Sequence, residues 1–296
     1  MKQVWAIAGK EFSDRLRSGW VIACALLWLG AISLTSLFGL VQVGRIGLQG
    51  YDRTVVSLLN LVQYLVPLLG LLLGHDLLVS EREERTLAMI FASGVTRART
   101  LIGKFVGGCF TLGFPLALGF LIAGTVIGLS AKDKAIGSFL MLAISGLVLG
   151  VIYLGVGLLI STLCRTRVQA LVCALLTWCV AVFAFDLIAM GVVVTVNCTH
   201  AEHEIEQATE ATHTTPIADM HKAFENGDEN AAHAAIERSQ KVAAWLALNP
   251  VDLFRAANLP KSANTDVPAW LETFSIFAWL LGVLGFAFWK LRRIDL

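Results

Sequence analysis

Residues 136–163 read IGSFLMLAISGLVLGVIYLGVGLLISTL, 28 positions without a charged side chain. A bilayer's hydrocarbon core, roughly 30 Å thick, is crossed by about 20 helical residues, so this run is long enough to span it. Its backbone amides and carbonyls find no water in lipid, so the run must be helical. Five comparable apolar runs flank it: Trp20–Val43, Val55–Val79, Leu101–Leu129, Val168–Val196 and Trp270–Trp289. The sequence therefore predicts an all-α, polytopic membrane protein with six transmembrane helices. Composition points the same way. The 296 residues are 56% hydrophobic and only 15% charged, where a soluble domain carries about 25% charged residues. A net charge of +1 gives no case for nucleic-acid binding.

The charges are distributed unevenly. Basic residues gather before the first run (Lys2, Lys10, Arg15, Arg17) and between the second and third (Arg82, Arg85, Arg97, Arg99, Lys104). They recur between the fourth and fifth (Arg165, Arg167) and after the sixth (Lys290, Arg292, Arg293). The short loops on the other side hold only Arg45, Arg53, Lys132 and Lys134. The positive-inside rule then places both termini in the cytoplasm, in the inner membrane if the cell is Gram-negative. The first run is too long for the apolar region of a cleaved signal peptide, which has about 7–15 residues.

Four segments follow. Residues 1–19 form an amphipathic interfacial helix, with Trp5, Ala8, Phe12 and Leu16 at helical spacing. Residues 20–196 hold spans one to five, with a cytoplasmic connection at 80–100. Residues 197–269 form an extracytoplasmic helical insertion between spans five and six. It opens with Glu202, Glu204, Glu206 and Glu210, is interrupted at Asn226-Gly227-Asp228, and is closed by Asn249-Pro250. Residues 270–296 are span six and a basic cytoplasmic tail. Small residues pair as G-x-x-x-G at Gly70/Gly74, Gly103/Gly107, Gly124/Gly128 and Gly146/Gly150, a spacing that allows helices to approach closely.

Residues 80–105, SEREERTLAMIFASGVTRARTLIGKF, are more than a tether. Glu81, Glu83 and Glu84 suit the start of a helix, where carboxylates complement the dipole. Leu87, Ile90 and Phe91 then form an apolar face before Ser93-Gly94 breaks the helix. This stretch resembles the coupling-helix region of ABC-2-type transporter permeases. That family has an E-x-E-x-G-T, an apolar run, a P-V-S-R, and a G-K-F-like lead-in to the third span. The matching positions are Glu81, Glu83, Thr86, Val95, Thr96 (for Ser), Arg97, Gly103, Lys104 and Phe105. Arg85 stands where the family favours Gly, and Gly94 where it often has Pro.

The resemblance extends along essentially the whole chain and implies a permease subunit rather than an enzyme. It implies Glu81, Glu83, Thr86 and Arg97 as residues that couple the permease to an ATPase. No G-x-x-x-x-G-K-[ST] occurs in the chain, so ATP and magnesium would be bound by a separate cytoplasmic ATPase subunit dimer, and the permease would pair with a second copy of itself. Reversing Glu81 and Glu83 to Lys is expected to uncouple or release the ATPase while the permease still folds, since these charges lie outside the bilayer. Within the family, KEFSDRLRSGWVIA (10–23), HDLLVSE (75–81) and LNPVDLFRAANL (248–259) are similar to the permeases that serve nitrous oxide reductase maturation. That likeness implies a periplasmic β-helical accessory protein as partner, and a part in building the enzyme's copper–sulfur centre. Export of a lipid, peptide or small molecule is the alternative, and a membrane-embedded enzyme is a further one.

Several residues invite sharper readings. Asp186 lies in the fifth run and either lines a translocation path, contacts the outer domain, or is simply wet at the helix end. His75-Asp76 reads as polar anchoring beside the coupling segment, because no other titratable residue in that span continues a proton relay. Cys198, His200 and His203 are soft ligands suited to copper, but their spacing fits no closed site, and a solvated loop is the favoured reading. Trp245 and Leu246 are candidate apolar anchors for the periplasmic partner. Five of the six cysteines sit in or at the ends of apolar runs, so no disulfide framework is expected.

Overall fold

The structure is a computed structural model, and it describes residues 2–43, 50–86, 96–128, 134–184, 250–251, 254 and 269–292. All regular structure among the described residues is helical. Helix α1 is Lys2–Leu16, α2 is Gly19–Val43, α3 is Gly50–Gly74 and α4 is Asp76–Glu83. Then come α5 (Arg97–Gly128), α6 (Lys134–Leu163), α7 (Arg167–Cys179) with a π turn at Val180–Ala184, and α8 (Ala269–Arg292).

Four helical stretches are long and apolar enough to cross a membrane: Gly19–Ser36, Ser57–Glu83, Arg97–Val126 and Phe139–Leu163. Two further apolar stretches, Arg167–Phe183 and Ala278–Leu291, are shorter. They overlap the fifth and sixth expected runs, and residues 185–196 of the fifth run lie outside the described residues, as does the segment 197–249.

The core forms because α3 and α6 pack backbone against backbone. A Cβ on Gly74 would stand 2.5 Å from the Leu154 carbonyl oxygen and 2.8 Å from Gly157 Cα, and one on Gly70 would stand 2.8 Å from the Gly150 carbonyl oxygen. Lipid supplies no hydrophobic force between helices, so such close contact is a main source of their affinity. Around this pair, Trp28 and Ile32 of α2, Val62 and Val66 of α3, and Leu112, Leu116 and Phe120 of α5 are buried. Phe120 meets Trp28 edge-on, with ring centroids 5.4 Å apart. Large apolar side chains on the outside, such as Leu26 and Leu121 (both 64% exposed), would be a solubility fault in water and are the expected surface in lipid.

Helix α1 lies along α5 in the groove left by the second glycine pair. Cβ atoms on Gly103 and Gly107 would each be 2.8 Å from α1, at Ile7 Cγ2 and Glu11 Cβ respectively. Ala8 is buried in that seam. The expected apolar stripe is thus offset. Trp5 and Phe12 flank the seam against Phe110, at 6.2 and 6.3 Å between ring centroids, and Trp5 stays 62% exposed. Ile7, Glu11 and Arg15 instead line the protein-facing side.

The second expected span does not run unbroken to Val79. Helix α3 stops at Gly74, and α4 begins at Asp76 after His75. His75 supplies no side-chain cap. The cap comes from across the bundle, where Ser161 Oγ of α6 accepts hydrogen bonds from the backbone N–H groups of Leu78 (2.9 Å) and Val79 (2.8 Å). Leu77, Leu78 and Val79 are buried, so the apolar run resumes just beyond the polar His75-Asp76 pair at which the helix breaks.

A second difference concerns Glu81 and Glu83. They lie in the last turn of α4, and Glu84 is its C-cap, so these carboxylates end a helix instead of starting one. The dipole alone disfavours them there. Arg85 follows with φ 58°, the left-handed region that normally calls for glycine. The family's preference for Gly at this position has its physical reason here. Arg85→Gly is expected to stabilise the protein by about 0.5–1 kcal/mol, because the exposed side chain gives up only a strained backbone. Thermal unfolding in detergent measures this, and a lower midpoint for the variant would contradict it.

Candidate functional site

The cations that offset the misplaced glutamates come from other helices, and they build the candidate coupling site. On one side of α4, Lys104 of α5 is almost fully buried, with its side chain 3% exposed. Its Nζ lies 2.9 Å from Glu81 Oε1 and 2.8 Å from Glu11 Oε2 of α1. Glu11 Oε1 in turn takes a 2.5 Å bond from Arg15 Nε. Arg15 Nη1 also donates to the carbonyl of Leu73, the second-last residue of α3, at 3.1 Å. Glu81 Oε2 is buried with no hydrogen-bond partner among the described residues. Burial alone would push the Glu11 carboxyl up, but the charges and hydrogen bonds of Lys104 and Arg15 outweigh it and hold the group below the ordinary carboxylate range.

On the other side, Arg167 at the start of α7 faces three carboxylates. Its Nε is 3.4 Å from Glu83 and 3.7 Å from Asp76, and its Nη2 bonds Glu84. This cluster is far more exposed, with Glu83 at 45% and Arg167 at 44%. Arg82 Nη1 donates to the Cys164 carbonyl at 3.2 Å, tying α4 to the end of α6. Helix α4 is therefore gripped by a buried ion network toward α1 and α5, an open one toward α7, and a serine hydroxyl from α6.

Of the four expected coupling residues, the structure brings Glu81 and Glu83 onto α4 with opposite surroundings. Thr86 Oγ1 donates to the Glu81 carbonyl at 3.3 Å and satisfies an end group of α4. Arg97 opens α5 and donates to the Leu291 carbonyl of α8 at 3.0 Å. His75 is buried, with Nδ1 2.7 Å from the Leu72 carbonyl oxygen, and anchors the break. Leu87, Ile90 and Phe91 lie outside the described residues, as do Asp186, Cys198, His200, His203, Trp245 and Leu246. Among the described residues no group of three or more His, Cys, Asp or Glu side chains is placed to hold a metal ion, and Cys24, Cys109, Cys164, Cys173 and Cys179 are free thiols.

Sequence reasoning missed Glu11, Ser161 and Arg167 as site residues. It placed Lys104 only within a motif. One signal was available for Lys104, a lone cation near the start of an apolar run, since such residues are costly unless paired.

A bundle of helices of membrane-crossing length, with a short helix set off at one end of α3, defines a multi-pass membrane protein. The chain belongs to the ABC-2 family of transporter proteins, whose family model matches residues 5–296. It is similar to the probable ABC transporter permease protein NosY of Stutzerimonas stutzeri, with 33% identity over 198 residues, 66% of this chain and 72% of that one. The protein of the same name from Pseudomonas aeruginosa is 32% identical over 198 residues, with the same shares.

Proposed function

We propose that this chain is the membrane-spanning half of an ATP-driven transporter in the inner membrane. Two copies, each with six spans and cytoplasmic termini, would work with a separate ATPase dimer that binds ATP and magnesium. The observation that carries this reading is α4. It is set off from α3 by a break, held to three other helices by side chains instead of backbone continuity, and leads into the segment 87–95 that joins two spans. A short helix so attached can be moved by a partner without unfolding a span, as a switch between two states requires. The expected coupling residue Glu83 lies at its exposed end, and the half-buried Thr86 follows just beyond it.

The finer reading is that the transporter serves maturation of the copper–sulfur centre of nitrous oxide reductase. Its support is the similarity to two NosY permeases and to the sequence stretches 10–23, 75–81 and 248–259. Residues 197–269 are the docking domain for a periplasmic β-helical partner, with Trp245 and Leu246 as anchors and Asp186 beside the path or the outer domain. A segment of that length costs conformational entropy to order unless it binds something. Cys198, His200 and His203 are read as solvated.

Deletion of residues 200–238 is expected to leave membrane insertion and ATPase binding intact. Nitrous oxide reductase would then accumulate without its complete copper–sulfur centre, measured by copper content and nitrous oxide reduction in the deletion strain. Normal nitrous oxide reduction would remove the maturation role and leave the general transporter reading standing.

A further inference from the structure

Helix α1 touches both sides of the α3–α4 break. Before the break, Arg15 bonds the Leu73 carbonyl (3.1 Å). After it, Glu11 reaches Glu81 through the shared ammonium of Lys104, at 2.8 and 2.9 Å. The four side chains of this network carry two positive and two negative charges and are 3–21% exposed. Each ion is thus partly stripped of water and compensated only by the others, so the removal of one leaves a buried charge unpaired. The cluster on the far side of α4 is less constrained, although Asp76 Oδ1, 3.7 Å from Arg167, is buried with no hydrogen-bond partner among the described residues. Its single cation serves three carboxylates that are 35–59% exposed, and contacts of that kind are weak and easily exchanged.

Resting on the transporter reading above, we infer that Lys104 is a positioning residue for coupling: through Glu11 and Glu81 it makes α1 a brace across the α3–α4 break. Force applied to α4 then moves α1, α4, the end of α3 and the start of α5, which carries Lys104, as one body together with the Ser161 contact of α6, hinged against α7 at the exchangeable Arg167 contacts. The N-terminal helix is in this way a working part of the coupling apparatus as well as a membrane-surface anchor. Gly103 and Gly107 contribute by letting α1 approach α5 closely enough for Glu11 to reach Lys104.

The test uses the full complex with its ATPase, in lipid nanodiscs, with native cysteines replaced. Spin labels are attached through Lys10→Cys with Arg85→Cys, and separately through Arg85→Cys with Val168→Cys, all exposed positions. Distances are compared without nucleotide and with trapped ATP. The expected result is one narrow Lys10–Arg85 distance in both states, while the Arg85–Val168 distance shifts. Lys104→Met should broaden the Lys10–Arg85 distance and make it nucleotide-dependent, and Lys104→Arg should restore it. Glu11→Gln, which keeps the Lys104–Glu81 pair, should loosen the same distance and guards against a folding defect in the first variant. A merely structural Lys104 would leave the nucleotide dependence of this distance unchanged. A wild-type Lys10–Arg85 distance that shifts with nucleotide, or one unchanged in both Lys104→Met and Glu11→Gln, overturns the brace. ATPase content is measured on the same wild-type samples, and its absence would overturn the transporter reading itself and the brace with it.

Discussion

Gly74→Leu is expected to abolish the folded permease. The new Cβ alone would meet the Leu154 carbonyl oxygen at 2.5 Å and Gly157 Cα at 2.8 Å, and both are backbone atoms that no rotamer change can move. Overpacking a core with flexible neighbours costs about 1–3 kcal/mol. Here the α3–α6 backbone contact itself must open, and the whole stability of a domain is only about 5–15 kcal/mol. The opening would also carry Ser161 away from the Leu78 and Val79 amides, since Ser161 lies one helical turn beyond Gly157 on α6. Gly113→Leu is the control, because nothing lies within 4 Å of a Cβ there. Size-exclusion profile and thermal stability in detergent are the measurements. A monodisperse Gly74→Leu protein with the wild-type midpoint would show that α3 and α6 do not pack in this way.

Glu81→Lys and Glu83→Lys are expected to differ sharply although the two residues are neighbours on one short helix. Glu81→Lys sets a second ammonium beside the buried Lys104, which then keeps only Glu11. Breaking a pair of this kind costs about 3–5 kcal/mol, and the lower end applies because Glu81 is 21% exposed. Glu83→Lys disturbs an open cluster in which Arg167 retains Asp76 and Glu84, so it costs about 1 kcal/mol or less. The structure thus revises the expectation that both reversals leave folding intact because both charges lie outside the bilayer. Glu81 lies at the end of its apolar stretch and inside the protein. Thermal midpoints of the two single variants separate the outcomes, with loss of stability in Glu81→Lys only. Equal midpoints would mean that the Glu81–Lys104 pair does not hold α4. Binding of the ATPase to the stable Glu83→Lys variant then reports on coupling without a folding defect.

The fold class was legible in the sequence because it follows from length and polarity alone. A run such as 136–163 has one way to satisfy its backbone in lipid, while the four glycine pairs allowed close helix contacts without saying which of them would form one. The family was legible as well, since residues 80–105 carry its motif in local order. What the sequence did not reveal were the partners. Each expectation about Glu81 and Glu83 rested on their position along the chain, whereas their roles depend on Lys104, 23 positions after Glu81, on Glu11, 70 positions before it, and on Arg167, 84 positions after Glu83, all on other helices. The break falls on the polar pair His75-Asp76, but the apolar residues that follow read as a continuation of the span. Leu77, Leu78 and Val79 are as apolar as lipid-facing residues, and hydropathy does not distinguish burial in protein from exposure to lipid. The sequence by itself determined that the helices form and cross the membrane, because that choice is made against the solvent. Only the tertiary structure decided which carboxylate is buried, which amide is capped by Ser161, and where α3 gives way to α4, because those choices are made between side chains that meet only when the helices pack.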